Sequence, residues 1–429
     1  MTDTSIRFVL VLIGCLFCLA CQDTTAPTVG YDGEVRVGLL HSRTGTLAIS
    51  EHTVAEAELL AIAEINAAGG LAIDGRQLQV VPIEEDGESD SPTFARKAAK
   101  LIDVSEVDVI FGGWTSSSRK AMLPVIESKA HLLFYPLQYE GEECSEFIFY
   151  AGATPNQQAG PAVEWLLENK GNRFFLVGSD YVYPRTANAI ISRQVEDAGG
   201  VVVGEHYLPL GDQALMPAVS AIRSALPEGG IIINTINGDS NVAFFIEATA
   251  QGLTPANGYT IMSFSVSEEE VSAIGAHYLE GSFAAWNFFQ AIETPASKKF
   301  TNSFKELHGI HRVTTDPAEA AYSMVHLWAL AATKAGSTSP KAVRAALIGT
   351  GFDAPQGRVV VTPNHHLRKH VYIGEVQSDG QFRVVSDVGV VEPRTWSQWL
   401  PENEGYRCDW SQQRADAGRF HVDTSGSVQ

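Results

Sequence analysis

The chain has 429 residues, 45% of them hydrophobic and 19% charged, enough for two to three globular domains of about 150 residues each. Its formal net charge of -20, with no clustered basic segment, excludes nucleic acid and anionic lipid headgroups as expected partners.

The chain opens with Arg7 and an apolar run, "FVLVLIGCLFCLA" (Phe8 to Ala20), followed by polar "QDTTAPTVG". A bilayer span takes ~20 apolar residues, so the run is short for a membrane helix and has the length of a signal-peptide core. Three of the five cysteines fall here as C-x-x-C-x-x-C: Cys15, Cys18 and Cys21. A cubane iron–sulfur cluster needs a fourth thiolate close by, whereas the next cysteine is Cys144, so the run reads as an export leader. "CLAC" resembles a lipobox, with Cys18 where Leu is usual, and makes Cys21 the lipid-attachment residue. The rival "LIGC", ending at Cys15, leaves a core of only ~6 residues. Residues 1–20 are therefore expected to be a lipoprotein-type signal and 21–33 a linker. Cys144 and Cys408 remain as an even pair, either a disulfide in an oxidising envelope or two buried thiols.

After the leader, β-branched runs alternate with amphipathic helices. "VRVGLL" reads as a buried strand and "TVAEAELLAIAEINAAGG" as a helix with a Thr53–Glu56 capping box and a Gly69–Gly70 stop. "LQVVPI", "SPTFARKAAKLI", "VDVIFG", "SRKAMLPVIESK" and "HLLFYP" continue strand, helix, strand, helix, strand. The pattern restarts after Thr154–Pro155 with "RFFLVG", a helix from about Arg185, "VVVGEHYL", a helix from about Gln213, "GGIIINTI", a helix from about Asn241, and "GYTIMSF". Strands separated by helix-length segments imply parallel βαβ units and an α/β fold of two doubly wound halves. Beyond Trp286 come long helices, then "GRVVVT", "VYIGEV" and "FRVV", which read as antiparallel. Residues 411–429 have little apolar content and are expected to be a disordered tail.

In open parallel sheets ligands bind beyond the carboxyl ends of the strands. The segments there are "GWTSSSRK", "PLQYEGEE", "SDYVYPR", "NGDSN" and "SFSVSEEE", all rich in hydroxyls, aromatics and carboxylates. Their convergence gives a small polar pocket, with Trp114, Thr115, Ser116, Tyr135, Gln138, Tyr139, Asp180, Tyr181, Asp239 and Ser265 as candidate ligand-binding residues. Enzyme patterns are incomplete: Ser117 and Lys120 form S-x-x-K without K-T-G or S-D-N, and the nucleophile elbow, phosphate loop and dinucleotide fingerprint are missing. His365, His366 and His370 lack matched metal ligands. No enzyme activity, cofactor or metal is expected.

The motifs "VGLLHSRTGTLAISE", "GGWTSSSRKAMLPVIE", "LLFYPLQYEGEE", "GSDYVYPRTAN", "TINGDSNVAFF", "SFSVSEEE", "AAWNFF" and "PNHHLRKHVYIGEVQSDGQF" resemble the urea-binding component of ABC-type urea transporters, over Val35 to Trp410. That group is similar to short-chain amide-binding regulators and, more distantly, to branched-chain amino-acid binders, which stand as alternatives. The resemblance implies a type I periplasmic binding protein, two Rossmann-like lobes joined by three crossovers. Lobe one would be 34–154 plus 287–356, and lobe two 155–286 plus 357–410. It also implies transporter permease subunits as partners, an exported protein in the periplasm or cell envelope, and contact with membrane only through the N-terminal lipid. Gly113 departs from the family, where Cys often precedes the Trp. Urea has one carbonyl acceptor, four N–H donors and no charge. On this reading Thr115 and Ser116 face its carbonyl, while Asp180, Asp239 and Gln138 accept from its amides.

Overall fold

The computed structural model describes residues 30–411 and 419–421. The leader with Cys21, and the remainder of the tail, lie outside the described residues.

The first half of the chain forms β1 (Gly33–His41), α1 (Ala48–Ala67), β2 (Leu71–Ile73), β3 (Arg76–Asp86), α2 (Ser91–Asp103), β4 (Val109–Gly112), α3 (Ser116–Ser128), β5 (Leu133–Tyr135) and β6 (Ile148–Tyr150). These strands make a six-stranded sheet in the order β2-β3-β1-β4-β5-β6. All neighbours are parallel except the short edge strand β2. Val37, Leu39 and Leu40 of β1 are buried, as a central strand covered by helices on both faces requires. The Asp90 carboxylate accepts from Thr93 N at 2.9 Å and, with Pro92 in the first turn, starts α2.

The second lobe holds α4 (Ala159–Asn169), β7 (Arg173–Ser179), α5 (Val182–Asp197), β8 (Val201–Leu208), α6 (Met216–Ala225), β9 (Gly230–Thr235), α7 (Ser240–Ala250), β10 (Tyr259–Ser263), α8 (Glu268–Ile274), α9 (Ala276–Leu279) and β11 (Phe283–Trp286). The chain then returns to the first lobe with α10 (Pro295–His308), α11 (Asp316–Ala335), α12 (Pro340–Leu347), β12 (Gly351–Ala354) and β13 (Gly357–Val361). It re-enters the second lobe with β14 (Leu367–Val376) and β15 (Phe382–Val391), and then runs on to β16 (Tyr406–Cys408) and β17 (Arg419–His421), with Cys408 of β16 joined to Cys144 of the first lobe. Strands β11-β10-β9-β7-β8 are a parallel series, to which β14 adds antiparallel on β11.

Three connections cross between the lobes, and one side chain ties them together. Asn287, just past β11, donates from Nδ2 to the carbonyls of Gln157 in the first connection, at 3.2 Å, and His370 in the third, at 2.6 Å. The first-lobe core runs further than expected. Val359, Val361 and Leu367 pack into it, so hydrophobic contact carries the lobe past Gln356, and the third connection lies where β14 begins.

Two other expectations change. Helix α1 begins at Ala48, so Thr53 and Glu56 sit inside it and form no cap. Their side chains instead take Arg312, whose Nη2 donates to Thr53 Oγ1 at 3.1 Å and to Glu56 Oε2 at 2.6 Å. Within the tail, Arg419–His421 pairs with Tyr406–Cys408 as an antiparallel strand.

Candidate functional site

In each sheet the strand order reverses beside one central strand, and ligand clefts form at such points. In the first lobe this lies between β1 and β4, in the second between β7 and β9. The loops that follow them meet across the interlobe cleft. Trp114 donates its indole N–H to Asn237 Oδ1 at 3.1 Å. Gln138 donates from Nε2 to the Phe264 carbonyl at 2.7 Å and to Ser265 Oγ at 3.0 Å. Thr46 donates its hydroxyl to Asp239 Oδ1, and Asp239 N donates back to the Thr46 carbonyl at 3.1 Å. Farther out, Ser50 donates to Glu270 Oε1 at 2.5 Å, and Arg312 links Glu56 to Glu269. The lobes are thus closed on one another.

On the first-lobe side, Thr115 caps α3: its hydroxyl oxygen accepts from Ser118 N at 3.0 Å. Ser116 Oγ donates to Glu140 Oε2 and accepts from Arg119 Nη1 at 3.0 Å. Arg119 is fully buried and also donates to Glu140 Oε1 at 3.2 Å and Glu143 Oε1 at 2.8 Å. Lys120 adds a second cation on Glu143, at 3.0 Å. Burial alone would raise the Glu143 carboxyl, but the two cations hold it down at about 2. The guanidinium lies over the rings of Tyr135, at 4.8 Å, and Tyr139, at 4.5 Å. Tyr135 donates its hydroxyl to the Trp114 carbonyl.

On the second-lobe side, Tyr181 precedes α5 with its side chain half-buried. Its ring centroid lies 6.4 Å from that of Tyr183, and burial first, then Tyr135, Tyr183 and Glu140, push its phenol pKa up. Tyr183 is buried beside Gln138, Glu140, Tyr135 and Ser265, and burial raises its pKa too. Gln138 Oε1 is buried with no hydrogen-bond partner. Its amide cannot be turned round, because that would set Oε1 against the Phe264 carbonyl that Nε2 now satisfies.

The fold therefore brings together Trp114, Ser116, Tyr135, Gln138, Tyr181 and Ser265. Thr115 adjoins them as a helix cap, and Asp239 lies at the lobe contact with Thr46. Tyr139 stands behind this group, stacked on Tyr150 with centroids 4.9 Å apart and donating its hydroxyl to His366 Nε2 at 2.6 Å. His366 Nδ1 donates to the Asn364 carbonyl at 2.6 Å, and burial drives its pKa down to about 3, so the ring is neutral. Asp180 is exposed and paired with Arg185 at 2.8 Å, on the solvent side of the turn after β7. Arg119, Glu140, Tyr183 and Asn237 are central here and were not singled out from sequence. Glu140 lies in the acidic run "EGEE", which was the available signal for it, whereas Arg119 carries no signal of its own in the sequence. Gly113 has φ +85, a conformation a Cys in its place would adopt only with strain.

A two-lobed α/β chain closing a polar cleft at two switch points is the fold of type I periplasmic binding proteins. The family model described as the periplasmic binding protein domain matches residues 35–402, and the chain belongs to that family. Among curated relatives, limonene hydroxylase of Geobacillus stearothermophilus is 29% identical over 112 residues, 26% of this chain and 21% of that protein. The Leu/Ile/Val-binding protein homolog 6 of Brucella suis is 22% identical over 237 residues, 54% of this chain and 60% of that protein. The chain thus matches less than two thirds of the length of either. A solved solute-binding protein of an R. palustris ABC transporter, in complex with 4-hydroxybenzoate, has TM-score 0.73 at 20% identity, over 86% of this chain and 100% of that one. That likeness is one of fold.

Proposed function

We propose that this protein captures urea or a short-chain amide between its lobes and delivers it to the permease of an ABC transporter. The observation that carries the reading is the unpartnered acceptor Gln138 Oε1, buried in the cleft beside hydroxyl-bearing Tyr183 and Ser265. A buried acceptor without a donor costs about 1–3 kcal/mol, so an N–H-rich ligand is favoured there. Charge supports the same class. Arg119 is already matched by Glu140 and Glu143, so it is not free to receive a ligand carboxylate. Glu140, Tyr181 and Asn237 complete a lining of acceptors and hydroxyls suited to a small neutral amide. The half-buried cysteine pair, joined as a disulfide, suits an oxidising compartment outside the cytoplasm. Capture without turnover matches the lack of a nucleophile–base arrangement in the sequence motifs.

A branched-chain amino-acid binder is the second reading, favoured by the similarity to the Leu/Ile/Val-binding protein homolog 6 of Brucella suis. Calorimetric titration with urea, acetamide, leucine and glutamate separates the two. Urea is expected to bind, with acetamide weaker because it has one amide fewer. Tight leucine binding with no urea signal overturns the ligand assignment.

A further inference from the structure

After β15 the chain leaves the second lobe and runs back across the hinge as a strap. Asn156, in the first connection, donates from Nδ2 to the Glu392 carbonyl at 2.8 Å and accepts at Oδ1 from Arg394 N at 2.9 Å. Asn364, in the third, donates to the Pro393 carbonyl at 3.1 Å. The strap then reaches the first-lobe loop between β5 and β6, which carries Gln138, Glu140 and Glu143.

Contact with that loop is dense. Glu142 N donates to the Thr395 carbonyl at 2.9 Å, and its carboxylate accepts from Ser397 N at 2.9 Å and from Asn403 Nδ2 at 2.8 Å. Gly141 has φ +73, and a Cβ there would lie 2.6 Å from the Thr395 carbonyl oxygen, so glycine permits the close approach. Cys408 of the strap is then joined to Cys144 of the loop, with Cα atoms 6.0 Å apart and a sequence separation of 264.

The lobes therefore share a connection beyond the three hinge segments, covalent at its far end. Resting on the placement of the ligand at Gln138 and Glu140, we propose that this strap positions the Gln138–Glu143 loop for ligand, with Glu142 and the Cys144–Cys408 disulfide as positioning residues. The loop has no regular secondary structure between Pro136 and Phe147, so its shape depends on such external contacts. Releasing it lowers the fraction of molecules in the binding-competent arrangement and raises the apparent Kd in proportion.

Both cysteines are half-buried and within reach of a small dithiol. Dithiothreitol supplies two electrons and two protons, breaking the S–S bond to give two cysteine thiols, and closes to its own cyclic disulfide. Hydrogen–deuterium exchange of residues 136–147 without ligand, and calorimetry with urea, are compared for the oxidised protein, the reduced protein and Asn403→Ala with its disulfide intact. Reduction is expected to speed exchange in that loop relative to the first-lobe strands and to weaken urea binding about tenfold, with Asn403→Ala showing a smaller change in the same direction. Unchanged loop exchange overturns the proposal, and so does faster exchange with unaltered urea affinity. If the oxidised protein binds no urea, the ligand reading falls, while loop exchange still decides whether the strap orders the loop.

Discussion

Ser116 gives its hydroxyl hydrogen to Glu140 while accepting one from Arg119, so its Oγ is occupied on both sides within the first lobe. On the proposed ligand reading, the carbonyl-binding role expected for this hydroxyl passes to other donors, and Glu140, which already accepts from Ser116 and Arg119, keeps further carboxylate lone pairs for ligand N–H groups. Replacing Glu140→Gln removes the charge and unbalances Arg119, which keeps only Glu143 and its shared contact with Lys120. Urea affinity is expected to fall roughly 5- to 100-fold, from losing a buried charge-assisted acceptor worth ~1–3 kcal/mol. Calorimetry checks this, and an unchanged Kd would remove Glu140 from the site.

The hinge makes a separate prediction. Asn287 donates to both neighbouring connections from a buried position. Asn287→Ala leaves the Gln157 and His370 carbonyls short of a donor, at a cost of ~1–3 kcal/mol. A drop in melting temperature of roughly 2 to 6 °C is expected by calorimetric scanning. No change would mean that water replaces the amide without loss.

Stability should decline with alkalinity. Burial pushes Glu268 up from 4.5 to about 8, and it accepts from Gln290 N at 2.7 Å. Burial would lower His41, but Glu58 and Glu51, on either side of its ring, raise it to about 9. Both groups bind a proton more tightly folded than unfolded. Their contributions are complete below the unfolded values, 4.5 for Glu268 and 6.5 for His41, and are lost as pH rises through about 8 and about 9. Glu143 acts oppositely, its contribution lost only as pH falls below 4.5 toward about 2. His365 and His366, which burial holds down at about 3, gain stability up to their unfolded 6.5 and offset the fall below that pH. Above 6.5 thermal melts should show a falling melting temperature, and Glu268→Gln should flatten the part below about 8. An identical slope in the variant would exclude Glu268 as the source.

Attachment to membrane is a prediction from the leader alone. Cys21→Ser is expected to abolish lipid labelling in cells and move the protein to the soluble fraction, whereas Cys15→Ser and Cys18→Ser leave it anchored. Loss of label in Cys15→Ser alone would move the cleavage site.

Much of the fold was legible because each strand and helix announces itself locally. β1 reads as a β-branched and apolar run interrupted by Arg36, α2 as Pro92 at the start of an amphipathic stretch, and the loops after the strands as clusters of hydroxyls and carboxylates. Helix starts near Arg185, Gln213 and Asn241 fell within three residues of Val182, Met216 and Ser240. What was not legible depends on contacts distant in sequence. Arg119 reads as an ordinary helix residue until Glu140 and Glu143 fold against it. Thr53 and Glu56 match a capping box, yet five more residues join the helix ahead of Thr53 and Arg312 claims both side chains. Asp180 had the composition of a site residue and the geometry of a surface turn. The pairing of Cys144 with Cys408 needed the strap's path, which spacing does not give.

Direct acceptance from ligand by Asp239, as the sequence suggests, would make its loss weaken binding roughly 5- to 100-fold, on the ~1–3 kcal/mol cost of an unpaired group. In the structure its carboxylate takes the Thr46 hydroxyl across the lobes, and both residues are only partly buried. Its contribution to affinity then runs through closure, because the contact exists only when the lobes meet. A single such hydrogen bond is worth ~0.5–1.5 kcal/mol, so Asp239→Ala should weaken urea binding about 2- to 10-fold. Thr46→Val should cost a similar amount, and the double variant little more than either single one, since both remove the same contact. Calorimetry on the four proteins of this cycle is the check. A loss in Asp239→Ala much larger than in Thr46→Val, with the two adding in the double variant, would return Asp239 to direct contact with ligand.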